Sequence, residues 1–214
     1  MARRTKEDAE ATRHKLLDAA QAVFYERGVA GASLAEVAKA ANLSRGAIYW
    51  HFQNKADLFN AMIQRVTLPF ERALEIGEEM SVREGVALSV ILGALRLVLH
   101  SVSTDEGTRT VFDIAVHKTE CVGEMLAVRE RRVLEASRFT KQMERMLSLA
   151  AVEQQITLPV QVASAAHGLH AVFCGVLHAW LLYPEAPFPL EEEGMLVVSL
   201  YLKGLGFSIR KEIS

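Results

Sequence analysis

Apolar residues recur at helical rather than strand spacing along the chain. Leu16, Leu17, Ala20, Val23 and Phe24 form one stripe, and Thr5 with Asp8 reads as a capping box, so a first helix is predicted from there to Gly28. Gly28 can supply the left-handed residue that ends it. Ser33 with Glu36 three residues on opens a second helix, with Leu34, Val37, Ala38 and Ala41 facing inward. Asn42 tolerates positive φ and Ser44 is an immediate new N-cap, so the chain can reverse between the second helix and a third, which runs from Arg45 to Phe52. Asn54 with Asp57 signals a fourth start. Leu58, Phe59, Met62, Ile63 and Val66 carry this connecting helix toward Glu79, with Pro69 kinking rather than ending it.

Ser81 with Glu84 reads as a further cap, and the remaining periodicity predicts helices at 82–103, 105–117, 121–153, 159–183 and 190–209. Strand-like alternation is lacking throughout. The expected fold class is all-α: an N-terminal three-helix helix-turn-helix domain over residues 1–55, and a larger helical domain over 56–214.

Composition narrows the class. Half of the 214 residues are hydrophobic and five are proline, which suits a helical protein with a sizeable core. The most apolar region, 160–183, contains His167, His170 and His178, so no membrane partner is expected. Arg3, Arg4 and Lys6 lead into charged helix rather than an apolar leader, and the expected location is cytoplasmic. Two cysteines, Cys121 and Cys174, are too few for a disulfide scaffold. The net charge of −2 hides an asymmetry: residues 1–55 hold nine Lys/Arg against six Asp/Glu, a net of +3, which leaves 15 against 20, or −5, for the rest. The basic end is the helix-turn-helix end, which points to DNA phosphate, although ordinary charge scatter could give the same count.

A helix-turn-helix of this size places its second helix in the major groove. Ser33 and Ser44 sit at helix starts where a hydroxyl and backbone amides can meet phosphate, and Ser44 also caps its helix. Tyr49, His51 and Lys55 make a polar cluster behind them. Arg45 is the best base reader, since a guanidinium can bond two acceptors on guanine. Gly46 and Ala47 lack bulk and let the backbone approach the base edges, with the Ala47 methyl facing a thymine methyl; the alternative for Gly46 is a merely tolerated glycine. Ile48 and Phe52 share a face and are expected in the core, while Trp50 is expected to pack against the first helix or the body.

These residues carry a resemblance. The segment ASLAEVAKAANLSRGAIYWHFQNKADLF resembles the DNA-binding region of the TetR family of bacterial transcriptional regulators, and with RRTKEDAEATRHKLLDAAQAVFYERGV it is similar to the branch that represses multidrug efflux pump genes. Asn42 stands where the family often has glycine. The resemblance maps Ser33, Arg45, Gly46, Tyr49, His51 and Lys55 onto DNA-contacting positions. In the body, VFDIAVHKTECVGEM and HAWLLYPEAPF are similar to the same branch, whose corresponding helix borders a drug pocket.

His170, Cys174 and His178 recur at i, i+4, i+8 on one helical face. They can be satisfied core or dimer-interface groups, the lining of a ligand cavity, or soft-metal ligands. The metal reading lacks a supporting Cys-rich or carboxylate cluster, so no metal and no cofactor are expected. Phe112 and Val116, Leu95 and Val98, and Ala136 and Met143 are candidate apolar walls, each also explicable as plain core. The helix at 190–209, with Leu196, Val197, Leu200, Tyr201, Leu205 and Phe207, is too apolar for a solvent face and is expected to pair with the helix at 159–183 against a second copy. Gly204 and Gly206 either permit close approach or fray its end. A two-fold dimer implies an inverted-repeat operator, with recognition helices about one DNA turn, roughly 34–36 Å, or a multiple of it apart.

The expected function is a dimeric repressor that binds an operator and is released by a hydrophobic small molecule, with control of an efflux operon implied by the resemblance. A ligand-independent dimeric regulator and a helical enzyme using the His170/His178 region are the alternatives. The enzyme alternative has no nucleophile motif or Gly-rich phosphate loop behind it.

Overall fold

The computed structural model describes residues 2–183 and 185–209, with the side chains of residues 2–5 and 124 outside the description. Among these residues there is no strand. The elements are α1 (Ala2–Gly31), α2 (Leu34–Ala40), α3 (Arg45–His51), α4 (Lys55–Glu84), α5 (Ala87–Thr104), α6 (Glu106–His117), a 3-10 turn (Gly123–Met125), α7 (Leu126–Glu153), α8 (Val162–Leu181) and α9 (Leu190–Gly204).

The helix boundaries follow local chemistry, with corrections at Ser81, at the start of α7, which begins at Leu126 rather than 121, and at the end of α9, which stops at Gly204 rather than 209. α1 starts ahead of the expected Thr5/Asp8 box, and the Thr5 side chain lies outside the described residues. Gly28 ends the first regular stretch as expected, at φ 70 and ψ 161, a conformation open essentially to glycine, and a short helical turn to Gly31 follows across this kink. The kink turns the Val29 N–H to the Lys118 carbonyl at 3.0 Å. One correction concerns Ser81, which caps nothing. α4 runs unbroken past Pro69 to Glu84, and buried Ser81 satisfies its hydroxyl on the Gly77 carbonyl at 2.7 Å. Gly85, at φ 66, follows the end of the helix. α5 then starts without a cap of its own, and the Glu153 carboxylate of α7 takes its Ala87 N–H at 3.1 Å.

Three helices stop in the same way. After α2, Leu43 N–H reaches Ala38 O (2.9 Å) and Asn42 N–H reaches Lys39 O (3.0 Å), with Asn42 at φ 56. That is a Schellman stop. Gln155 (φ 53) ends α7 and Gly206 (φ 98) ends α9 with the same pair of bonds. Gly206 is therefore a stop and not a frayed end, and Leu205 and Phe207 beside it are buried.

Packing sorts the chain into two compact units: the residues to Thr67 with Gly107–Arg132, and Leu68–Glu106 with the residues from Val133 onward. In the first, Leu16, Phe24, Val37, Ile48, Phe52 and Phe59 share one core with Val111 and Ile114 of α6, Met125, and Val128 of α7. Packing thus adds α6 and the start of α7 to the helix-turn-helix, a grouping different from the segments 1–55 and 56–214, which remain a division by task.

In the second unit α9 packs on α5 and α8. Gly194 allows this approach: a Cβ there would stand 2.7 Å from Leu99 Cδ1 of α5. Tyr201 of α9 lies over Gly168 and donates to the Ala165 carbonyl of α8 at 2.9 Å. Arg145 of α7 binds Glu78 of α4 through Nε (2.5 Å) and Nη2 (3.0 Å), and this hydrogen bonding holds the Glu78 carboxyl below its ordinary range. α5 and α8 are long and apolar enough to cross a membrane by length and composition. Each, however, turns its buried residues toward helical neighbours, and α5 carries His100 one turn before its C-terminal end, 2.8 Å from Glu191 of α9.

Gly77 of α4 sits close against α5, where an added Cβ would lie 2.3 Å from Val90 Cγ1. Val90 is stiff at χ1 and cannot swing aside. Gly77→Ala is expected to lower stability by about 1–2 kcal/mol despite its better helix propensity, and Gly77→Ala/Val90→Ala to recover most of the loss, as measured by thermal unfolding.

Candidate nucleic-acid interface and the helical body

α3 takes its orientation from the residues it buries. Ile48 is fully buried and Phe52, just past the helix end, is 2% exposed, with the Arg13 guanidinium 5.3 Å above the Phe52 ring. Ser44 caps the helix by accepting the Ala47 N–H at 3.2 Å, so its capping role is real. Arg45, Gly46 and Tyr49 are consequently exposed, and Ala47 and His51 half-buried. A Cβ on Gly46 would meet nothing closer than Ser44 Oγ at 3.9 Å. Nothing inside the protein requires a glycine there.

Trp50 corrects its expectation. Its side chain is 73% exposed and stands edge-on to His51 at 4.6 Å, on the same outer surface as Tyr49. Two residues advance a helix by roughly 200°, so burying Ile48 turns position 50 outward. The signal was in the spacing, but the aromatic type argued for packing. Burial first, and then the charge of Arg13, lower the His51 pKa, so the ring is mainly neutral near pH 7.

Two candidate phosphate contacts are already engaged within the protein. The Ser33 hydroxyl donates to Glu36 Oε2 (2.8 Å) and accepts the Glu36 N–H (3.3 Å), completing the expected capping box. Lys55 Nζ donates to the carbonyls of Ala30 (3.2 Å) and Ala32 (3.1 Å).

The body candidates spread out. Leu95 and Met143 are fully buried core. Val98, Ala136 and His170 are half-buried, and the His170 ring lies 5.3 Å from that of Phe139 on α7. Burial, followed by the charge of His167, lowers the His170 pKa. Cys174 and His178 are exposed on the outer side of α8, so neither lines an interior within one chain. Phe112 and Val116 are half-buried on α6, in the helix-turn-helix unit. Among the described residues no three His, Cys, Asp or Glu side chains group to hold a metal. α9 exposes Leu196, Val197 and Leu200, whereas Leu205 and Phe207 are buried in the chain's own core.

Comparison with known proteins matches both parts of the chain. Residues 16–62 fit the family model of bacterial regulatory proteins of the tetR family, and residues 87–207 fit that of the MAATS-type transcriptional repressor C-terminal region. The HTH-type transcriptional regulator AcrR of Shigella flexneri is 34% identical over 204 residues, covering 95% of this chain and 93% of that protein. Among solved structures, NalD, the secondary repressor of the MexAB-OprM multidrug efflux pump in Pseudomonas aeruginosa, is 30% identical with a TM-score of 0.79, covering 96% of this chain and 100% of that one. A SmeT–triclosan complex is 31% identical with a TM-score of 0.80, covering 91% of each chain. These relatives are transcriptional regulators, which removes the enzyme alternative built on His170 and His178. With both halves matched and near full-length coverage, the chain belongs to the TetR family of bacterial transcriptional regulators.

Proposed function

We propose that this protein is a dimeric repressor that binds an inverted-repeat operator through α3, is released by a hydrophobic small molecule held in its helical body, and controls a multidrug efflux operon. The observation that carries the reading is α3 itself: Ile48 and Phe52 buried, with Arg45, Gly46, Tyr49 and Trp50 exposed together. Arg45 reads a base, the small Gly46 and Ala47 allow close approach, and Tyr49, Trp50 and His51 flank the contact. Ser44 adds a hydroxyl whose hydrogen is not used by its cap. Such a protein works where its operator is, in the bacterial cytoplasm.

Dimerisation draws support from the exposed apolar residues Leu196, Val197 and Leu200 of α9 and from the outer side of α8, where Cys174 and His178 now belong to the pairing face. Effector binding draws support from the half-buried His170–Phe139 pair beside an apolar interior, and from the triclosan complex of a similar protein. Leu95 and Met143 reach that ligand only if the core adjusts around it. Efflux control rests on the relatives, NalD and SmeT being named as repressors of multidrug efflux pumps.

Selection from random duplexes tests the function, and an inverted repeat is the expected product. On that operator Arg45→Ala should cost about 1–3 kcal/mol and relax preference at one base position, read by anisotropy on single-base variants. Equal loss on random DNA would refute base reading. Leu200→Glu places like charges at the two-fold face and should yield monomers in sedimentation, with operator affinity lost. Titrating apolar aromatic compounds into the complex should release DNA in proportion to their preference for the unbound state. Failure of every such compound would favour the ligand-independent regulator.

A further inference from the structure

α1 turns Leu16, Leu17, Ala20 and Phe24 into the core, and Arg13 stands on the same face one turn earlier. A guanidinium in that row keeps its stem on the apolar edge and its charge outside it. Its carbon lies 5.3 Å from the ring centre of Phe52, the buried residue that follows α3. The His51 ring is 6.2 Å from that of Phe52 and 4.6 Å from that of exposed Trp50. Phe52 thus connects a cation of α1 with the outer surface of α3.

We propose that Arg13 is a DNA-backbone contact: its guanidinium takes a phosphate beside His51, so that α1 as well as the helix-turn-helix holds the duplex. The inference rests on the DNA-binding reading above. Among the described residues Arg13 makes no hydrogen bond or ion pair, and Glu10, three residues before it, does not pair with it. The Phe52 ring steadies the charge and leaves the N–H donors for an acceptor outside the protein. Burial first, and then the charge of Arg13, lower the His51 pKa, so the two groups lie close enough to repel each other when both are charged. A phosphate beside both relieves that repulsion and accepts charge-assisted hydrogen bonds, for which a guanidinium has the matching fork. Holding Arg13 against Phe52 before DNA arrives also reduces the side-chain freedom lost on binding.

Salt dependence separates this role from packing. Operator and random duplex are titrated over a range of salt with the wild-type dimer, Arg13→Gln and Arg13→Lys, and melting temperatures are measured without DNA. Two guanidiniums per dimer, at about 0.9 each, predict a slope flattened by about 1.8 in Arg13→Gln on both duplexes, with roughly fiftyfold weaker binding at about 0.1 M salt. Base preference on single-base operator variants should not change, because a phosphate carries no sequence. Arg13→Lys keeps the charge and should keep the slope; a slope as flat as that of Arg13→Gln would overturn the proposal. An unchanged slope in Arg13→Gln would overturn it too and make Arg13 a packing residue on Phe52, whatever melting temperature is lost. Loss confined to the operator would equally overturn it, leaving Arg13 only the positioning of α3. Should Arg13→Gln not fold, Arg13→Met, which keeps an apolar stem on Phe52, is read by the same criteria. Failure of the wild type to prefer any inverted repeat would remove the operator reading, while the slope on random duplex would still decide whether Arg13 meets a phosphate.

Discussion

A seven-residue helix cannot keep its shape in water through its own hydrogen bonds, and α3 is that short. It persists because Ile48 and Phe52 are buried in a core built by α1, α2, the start of α4, and α6. That burial also fixes rotation about the helix axis, which makes Arg45, Tyr49 and Trp50 an outer surface. The caps at Ser44 and Asn54 set where the helix begins and where the next one starts, with Asn54 Oδ1 accepting the Asp57 N–H at 2.8 Å. The exposure of Arg45 depends on core packing it takes no part in.

The same core ties the reading unit to the chain around it. Val111, Ile114 and Val128 come from α6 and α7, far beyond α3 in sequence, yet they share one core with Ile48 and Phe59. α4 and α7 each continue from this unit into the other without a break. In the second unit α4 is held by Arg145 on Glu78 and by the close seat of Gly77 on Val90.

The resemblance and the caps made the DNA end legible. Ser33 with Glu36, Asn42, Ser44 and Asn54 are short-range signals, decided by neighbours within four residues, and all stand as expected. Ser81 followed the same rule and misled, because a serine and a glutamate three apart are also compatible with the interior of a helix whose hydroxyl bonds back to Gly77. Trp50 misled because its aromatic character suggested burial, while the rotation set by Ile48 required exposure. In the body, i, i+4, i+8 spacing put His170, Cys174 and His178 on one face without showing which part of it is covered.

The sequence alone determined what depends on local chemistry: an all-helical chain, the positions of most starts and stops, the apolar back of α3, and a family whose motif is read in a short window. Tertiary structure decided what depends on partners distant along the chain. It joined α6 to the helix-turn-helix core, moved Cys174 and His178 to the outside of α8, and took the Lys55 ammonium for the Ala30 and Ala32 carbonyls. Periodicity shows that a helix has an inner face, but only the packed neighbours determine what that face meets.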